Sequence, residues 1–482
     1  MVIIFMIALA IWNPVICAVL IIVFDFYWII RTFYLTTLLV MAYRKLSRQK
    51  NHNWLNDCIK FGEDWEKFYH LVIFPVYKEG LEIIQPSLRA LVECNYPKEK
   101  MIIVVAFEER NKEAGVLSSA LELEFKDKFF GYLSSFHPDG LPGEARTKGA
   151  NATWAAKRAK DFLEQKAVPF EDVIVSCFDS DTCAEKEYFG CLTYHFMNTP
   201  NPHQASYQPI PVYNNNIWYA PSFARLVELS SSFCQLIESM RLEKFVTFSS
   251  HSMSFKTLVN IGYWPVDMIS DDSVVYWKAF LFYKGDYRVI PLYITVSMDV
   301  AYSHNFFKTI IMQYKQKRRW AWGVENFPFL VKGFLKNNNI AFTKKIRRLY
   351  HLLESHVTWA VWAIIIMLIA PMPIFFGGAI FKQMPIGYNL PQITGLLLNF
   401  TFGASFVWVL LSLTILPPRP KDVPWFKGVI MIVEWVLVPL IILIVGSTPA
   451  LDAQTRMLLG RHMEFYPTEK SRKNIKKAVV NE

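Results

Sequence analysis

The sequence predicts an α/β domain with a mostly parallel sheet, carried between membrane helices at both ends of the chain. Two observations lead there. Through the middle, continuous β-branched runs such as Val173-Ile174-Val175 alternate with helical patterns, as strands buried on both faces of a parallel sheet do. At the ends, residues 2–24, 356–376, 393–416 and 429–445 are apolar stretches long enough to span a bilayer, in a chain of 482 residues that is 53% hydrophobic. The chain therefore divides into an N-terminal anchor of one or two helices (1–45), a cytoplasmic α/β domain (46–345), and C-terminal transmembrane helices with a basic tail (346–482).

Residues 2–24 lack a basic start and a small-residue cleavage site, which predicts an uncleaved anchor. Asp25, Arg31 and the aromatics Phe26, Tyr27, Trp28, Phe33 and Tyr34 follow, so residues 25–43 form a second span or a helix lying in the interface. Arg44, Lys45, Arg48 and Lys50 place the next segment on the cytoplasmic side. Residues 71–74 read as a short buried strand and Pro75 to Gly80 as the turn after it. Pro86 is expected to open a helix running to Val92. Residues 101–107 form the next strand, ending in Glu108-Glu109-Arg110, and a helix over 152–165 leads into the strand that ends at Asp179.

The basic loop 417–421 and the tail with Lys470, Arg472, Lys473, Lys476 and Lys477 both read as cytoplasmic. Both cannot be so if residues 429–445 cross once. Either that segment, with Glu434 and Pro439, is re-entrant or split, or the tail breaks the rule.

Seven cysteines (17, 58, 94, 177, 183, 191 and 234) form no C-x-x-C pair, and read as small buried residues in a reducing compartment. The net charge of +10 comes from Lys and Arg beside apolar segments more than on one face. That argues for a lipid bilayer surface or the phosphates of a nucleotide, and against nucleic acid as partner.

Asp179 and Asp181 fall beyond a strand's carboxyl end, where open α/β sheets bind ligands. Two hard oxygen ligands there suit Mg²⁺ or Mn²⁺ bridging protein to phosphate. Alone, Asp-Ser-Asp reads equally as a solvated turn. Four signals recur in order, however: Pro75-x-Tyr77-x-Glu79, Lys148-Gly149-Ala150-Asn151, Asp179-x-Asp181 and Gln316-Lys317-Arg318-Arg319-Trp320. Together they resemble the membrane-bound family 2 glycosyltransferases, the group of cellulose, chitin and hyaluronan synthases. The resemblance implies a GT-A fold and inverting transfer of a sugar from a nucleotide diphosphate-sugar, with UDP expected, to a growing polysaccharide or lipid-linked acceptor.

Carried over by position, the resemblance implies that Tyr77 stacks on the base, Glu79 and Glu108 meet its polar edge, and Lys148 approaches the nucleotide. Asp179 and Asp181 would hold nucleotide and metal. Gln316 and Arg319 would serve the leaving diphosphate, and Trp320 the acceptor's terminal sugar. Ile269-Ser270-Asp271-Asp272 resembles the family's threonine-glutamate-aspartate motif, which makes Asp272 the candidate base, with Asp271 expected to raise its pKa by like-charge repulsion. Asp272 also reads as an N-cap for a helix over 273–282. In the last motif the alternative is a basic amphipathic helix meeting lipid, and Lys317 is expected to be dispensable.

The sequence departs from the family at Glu108-Glu109-Arg110, where Asp-Asp-Gly is usual, and at Ser270-Asp271, where Thr-Glu is. Phe248 to Met253 occupies the position of an acceptor-contacting loop with different residues. Asn214 to Tyr219 reads as an acceptor-side loop or a turn. Rival functions are single transfer to a polyprenyl phosphate or a glycolipid, and, from another class, an inactive scaffold or a transporter. A transporter is expected to carry charges deep in its spans, where only Glu434 stands out.

Overall fold

Alternation along the strand from Tyr69 to Val76 sends Leu71 and Ile73 to one face of the sheet and Val72 and Phe74 to the other, all fully buried. This is why the run shows no polar residue at period two: helices cover both faces. The computed structural model describes residues 1–303, 305–463, 465, 466, 468, 470 and 472. Lys473, Lys476 and Lys477 of the predicted basic tail lie outside the described residues.

One eight-stranded sheet is formed by β1 (Tyr69–Val76), β2 (Met101–Glu108), β3 (Gly131–His137), β4 (Val173–Cys177), β5 (Cys183–Ala184), β6 (Ala205–Tyr213), β7 (Ser252–Ser254) and β8 (Arg288–Met298). Their spatial order is β3-β2-β1-β4-β7-β6-β8-β5. The sheet is mixed, which corrects the expectation of a mostly parallel one. Strands β3, β2, β1 and β4 are mutually parallel, and so are β6 and β8, but β7 runs antiparallel to both its neighbours and β5 antiparallel to β8. The reason lies in how β7 is fed. The loop before it is held at the carboxyl end of β4, where Cys177 N–H donates to His251 O at 3.1 Å, so the chain enters the sheet from that end and must run back.

The helix Lys148–Gln165 packs on the face holding Leu71, Ile73, Ile102 and Val104 through Ala152, Ala155, Ala156 and Ala159. The i, i+3, i+4, i+7 spacing places these small side chains on one stripe, which lets helix and sheet approach closely. The opposite face buries Phe74, Ile103, Val105 and Phe107 under Leu88 and Leu121. Several boundaries differ from those expected, two of them near the site. The helix around Pro86 runs from Leu81 to Glu93, with the proline in its second turn rather than at its start. The helix after the Lys148 motif starts at Lys148 itself, capped by Thr147 Oγ1, which accepts from Ala150 N–H at 3.4 Å.

At the N-terminus the expected single span is broken. Asn13 N–H closes the helix Val2–Trp12 on Leu9 O, and the Asn13 side chain caps the helix Pro14–Gln49 by accepting from Ile16 N–H at 3.1 Å. Pro14 cannot donate the bond that would continue the first helix, and its fixed φ suits the first position of the second. At 11 residues the first piece is about half the length needed to cross a bilayer, whereas the 36-residue second one merges both expected N-terminal segments.

Among the described residues three helices are long and apolar enough to cross a membrane: Pro14–Gln49, Phe342–Ile369 and Phe426–Leu458. All but the last residue of the expected span 393–416 falls within the helix Pro385–Ile415, which lies along Pro14–Gln49 with Trp408 Nε1–H donating to Thr36 Oγ1 at 2.9 Å. The helix Phe426–Leu458 meets the sheet domain near both its ends. Glu434 pairs with Arg225 and accepts from Ser222, while Asp452 accepts from Tyr314 at 3.2 Å and Arg318 at 2.9 Å. The basic loop and the described tail residues both reach that domain too, through Trp218 Nε1–H to Pro417 O and through Lys470 and Arg472.

Candidate active site

Beyond β4 the chain turns sharply. Phe178 N–H donates to Ile73 O and Thr182 N–H to Asp179 O, both at 2.9 Å, which fixes Asp179 and Asp181 at the carboxyl edge of the sheet beside the end of β1. Three motifs distant in sequence meet here. Lys148 Nζ lies 2.7 Å from Asp179 Oδ1 and 3.1 Å from Asp272 Oδ1. Burial lowers the Lys148 pKa, but Asp179 and Asp272 overcome it and hold the lysine well above its ordinary value. Burial would raise Asp179 in turn, and Lys148, then Lys470, more than reverse this, so its pKa is lowered. Ser249 Oγ donates to Asp179 Oδ2 at 2.6 Å.

The Lys148 motif is built for this approach. A Cβ on Gly149 would stand 2.8 Å from Asp271 Cβ, so a larger residue would push the two segments apart. Asn151 Nδ2–H donates to Ala106 O at 2.8 Å, tying the same turn to the end of β2.

Asp271 and Asp272 open the helix Asp271–Phe282, whose N-cap is Ser270 rather than Asp272. Ser270 donates its backbone N–H and its hydroxyl to Glu325 Oε1 at 2.7 and 2.6 Å, and Trp322 Nε1–H donates to Glu325 Oε2 at 3.1 Å. Glu325 thus anchors the Asp272 segment to the stretch just after Trp320. Like-charge repulsion is felt at Asp271. Asp271 is the buried member, and burial, then Asp272, lifts its pKa well above the carboxylate range; its Oδ2 has no partner.

A third carboxylate joins the pair, one that sequence reasoning missed. Asp299 follows β8 as Asp179 follows β4, and its N–H donates to Asp181 Oδ2 at 2.8 Å. Asn215, from the loop read as acceptor-side, donates to Asp299 Oδ1 at 3.0 Å and to Asp181 O at 3.1 Å. That loop therefore braces the acidic cluster. Two tail residues neutralise the cluster: Lys470 Nζ sits 2.6 Å from Asp181 Oδ1, and Arg472 forks onto Asp299. Strand-end position was the available signal for Asp299. Ser249 lies in the stretch 248–253 placed at the position of an acceptor-contacting loop, whereas nothing in the sequence pattern pointed to the tail's contacts.

Tyr77, Glu79 and Glu108 gather at the ends of β1 and β2. The Arg110 guanidinium lies 4.3 Å from the Tyr77 ring centroid and 3.1 Å from Glu108 Oε2. Glu79 accepts from Tyr77 N–H at 2.8 Å and Lys78 N–H at 3.1 Å, fixing its own turn. Buried His137 bridges Glu108, at 3.4 Å, and Glu144, at 2.8 Å. Burial lowers the His137 pKa, and the two carboxylates outweigh it and raise the group above its ordinary value.

Gln316, Arg319 and Trp320 lie on the helix Phe306–Ala321. Gln316 is buried with Oε1 unpartnered, and Arg319 rests 4.9 Å from the Phe465 ring. Trp320 packs 6.2 Å from Tyr213, a buried tyrosine at the end of β6 whose pKa is raised by burial, with Glu228, Asp179 and Asp181 adding to it. Lys317 is buried against Glu228 and does not face lipid.

Among the described residues no three His, Cys, Asp or Glu side chains are grouped to hold a metal ion. No family model and no curated protein matches the chain. Solved structures do resemble it. They include the mannosyltransferase PcManGT from Pyrobaculum calidifontis in complex with GDP-Man and Mn²⁺, 14% identical, with 79% of this chain and 98% of that one covered at a TM-score of 0.43. S. aureus TarS 1-349 in complex with UDP-GlcNAc is 16% identical, with 71% of this chain and 89% of that one covered at a TM-score of 0.40. Likeness at this level assigns neither donor nor metal nor acceptor to this chain.

Proposed function

We propose that this chain is a membrane-bound, inverting glycosyltransferase of the family 2 type, using a UDP-sugar and a divalent cation. The observation that carries the reading is the junction of Lys148 with Asp179 and Asp272, which brings three separate motifs to one strand-end mouth. In the proposed reaction an acceptor hydroxyl attacks the anomeric carbon, the bond to the diphosphate breaks, and the hydroxyl proton passes to the Asp272 carboxylate. Lys148 and Arg319 offer cationic donors to the developing charge on the leaving group, and Gln316 a neutral one. Trp320 offers a flat apolar face to the acceptor sugar, and Tyr77 another to the base.

The donor chemistry suits a hard cation held by Asp179 and Asp181, with oxygens of the diphosphate completing its shell. The Lys470 ammonium on Asp181 Oδ1 marks the position as one that takes positive charge, and it must leave for the ion to enter. The cation would neutralise the diphosphate. The acceptor is a growing polysaccharide or a lipid-linked glycan, and the sheet domain faces the cytoplasm.

The test is incubation of the purified full chain in detergent with a panel of nucleotide sugars and Mg²⁺ or Mn²⁺, with products weighed by mass spectrometry. Nucleotide release from one donor is expected. Release from none overturns the proposal.

A further inference from the structure

Away from the acidic mouth, the helices Pro14–Gln49 and Pro385–Ile415, with the segment ending Phe342–Ile369, line a second cavity of about 270 Å³ that opens to one side. Its walls are aliphatic, with Ile366, Ala370, Pro391 and Leu398 among them, and one carboxylate lines it: Asp25. Asp25 is 5% exposed and has no hydrogen bond or ion pair among the described residues. An isolated carboxyl in apolar surroundings is costly, and such residues in membrane helices mark sites of function. The nearest cation along the helix is spent elsewhere, since Arg31 pairs with Glu354 and donates to Tyr27.

The cavity's polar inventory selects the ligand. The Thr394 hydroxyl gives its proton to its own helix, to Leu390 O at 2.9 Å, so it has none left to donate into the cavity it lines. With Asp25 ionised, its two oxygens leave the site with acceptors and no donor. A primary ammonium is the complement, having three donors and no acceptor; a hydroxyl has one donor, and a carboxylate none. A volume of this size has room for an amine on a short alkyl chain. We infer that this cavity is a binding site for a primary alkylammonium, with the ammonium on Asp25 and Thr394 and the chain along Ile366, Ala370 and Leu398. This site is independent of the proposed transfer chemistry.

The test uses the full chain in nanodiscs and three eight-carbon probes: octylamine, 1-octanol and octanoate. Octylamine at saturation should raise the unfolding temperature by about 2 °C or more. Octanoate should not raise it, and the octylamine effect should vanish in Asp25→Leu and weaken at least about tenfold in apparent affinity in Asp25→Asn. Equal shifts from all three probes, or an undiminished shift in Asp25→Leu, would overturn the inference. If both variants fail to fold, wild type decides: an alkylamine carrying a diazirine should label residues 366–374 or 390–398 in competition with octylamine but not octanoate. Labelling that octanoate competes equally, or that falls elsewhere, rejects the site.

Discussion

Lys317 and Glu228 form a buried ion pair, 3.3 Å between Nζ and Oε2, and the same ammonium lies 3.5 Å from the centroid of the Trp320 ring. Burial lowers the Lys317 pKa, with Glu228 opposing it, and Ser231 Oγ takes a further bond from Nζ at 2.8 Å. Lys317 is therefore an internal support for Trp320, not the dispensable surface lysine that its basic neighbours suggested.

Lys317→Ala leaves the fully buried Glu228 unpaired, and should cost about 3–5 kcal/mol of stability. Denaturant unfolding in detergent measures it. Trp320→Ala should instead leave UDP binding near wild type and lose transfer to acceptor. Similar mild effects of both changes would remove Trp320 from the acceptor site.

Asp272→Asn keeps the size of the side chain and removes its capacity to take a proton. Turnover should fall about 10²-fold or more while donor affinity is unchanged. Steady-state kinetics with calorimetric donor binding separates the two, and a variant that retains most of its turnover excludes Asp272 as base.

Asp181→Ala removes a carboxylate that is 1% exposed at the acidic mouth. Transfer should be abolished and Mn²⁺-dependent UDP binding weakened, because the cation would lose one of its two protein ligands. Titration calorimetry with and without Mn²⁺ reads this directly; an unchanged metal dependence would show that Asp181 does not hold the ion.

His137 carries a pH signature of its own. Its folded pKa is raised above the ordinary 6.5, so it binds protons more readily folded than unfolded. The stability it contributes is fully present below about pH 6.5 and is lost as pH rises through the folded value. His137→Gln should flatten that part of the profile, as thermal unfolding across pH 5 to 9 would reveal. A profile identical to wild type would mean that Glu108 and Glu144 do not hold the extra proton there.

The parts of the site legible in sequence were those carried by short contiguous motifs. Asp179 and Asp181 were legible because an apolar run stopped at two carboxylates and three further motifs recurred around them in order, and Lys148 because it heads one of those motifs, Lys148-Gly149-Ala150-Asn151. Contacts made by tertiary folding left no local trace. Asp299 meets Asp181 across more than a hundred residues, and Lys470 across nearly three hundred. The mixed sheet was hidden for a similar reason: a three-residue strand has no period to read, and its direction follows from where the preceding loop is held. At the N-terminus composition masked the break, since an apolar window averages over Asn13 and Pro14.

The pairing of β5 with β8 also sets an order of assembly. Strands β1 to β4 can pair among themselves as soon as Cys177 is made, but β5 pairs only with β8. During synthesis at about 5–20 residues per second, β5 waits while roughly a hundred more residues are added. For those seconds Asp179 and Asp181 stand at the rim of a half-built sheet, without Asp299. The acidic mouth is thus among the last features of the sheet domain to close, and a nascent chain stalled before β8 would carry the first half of the fold with no working site.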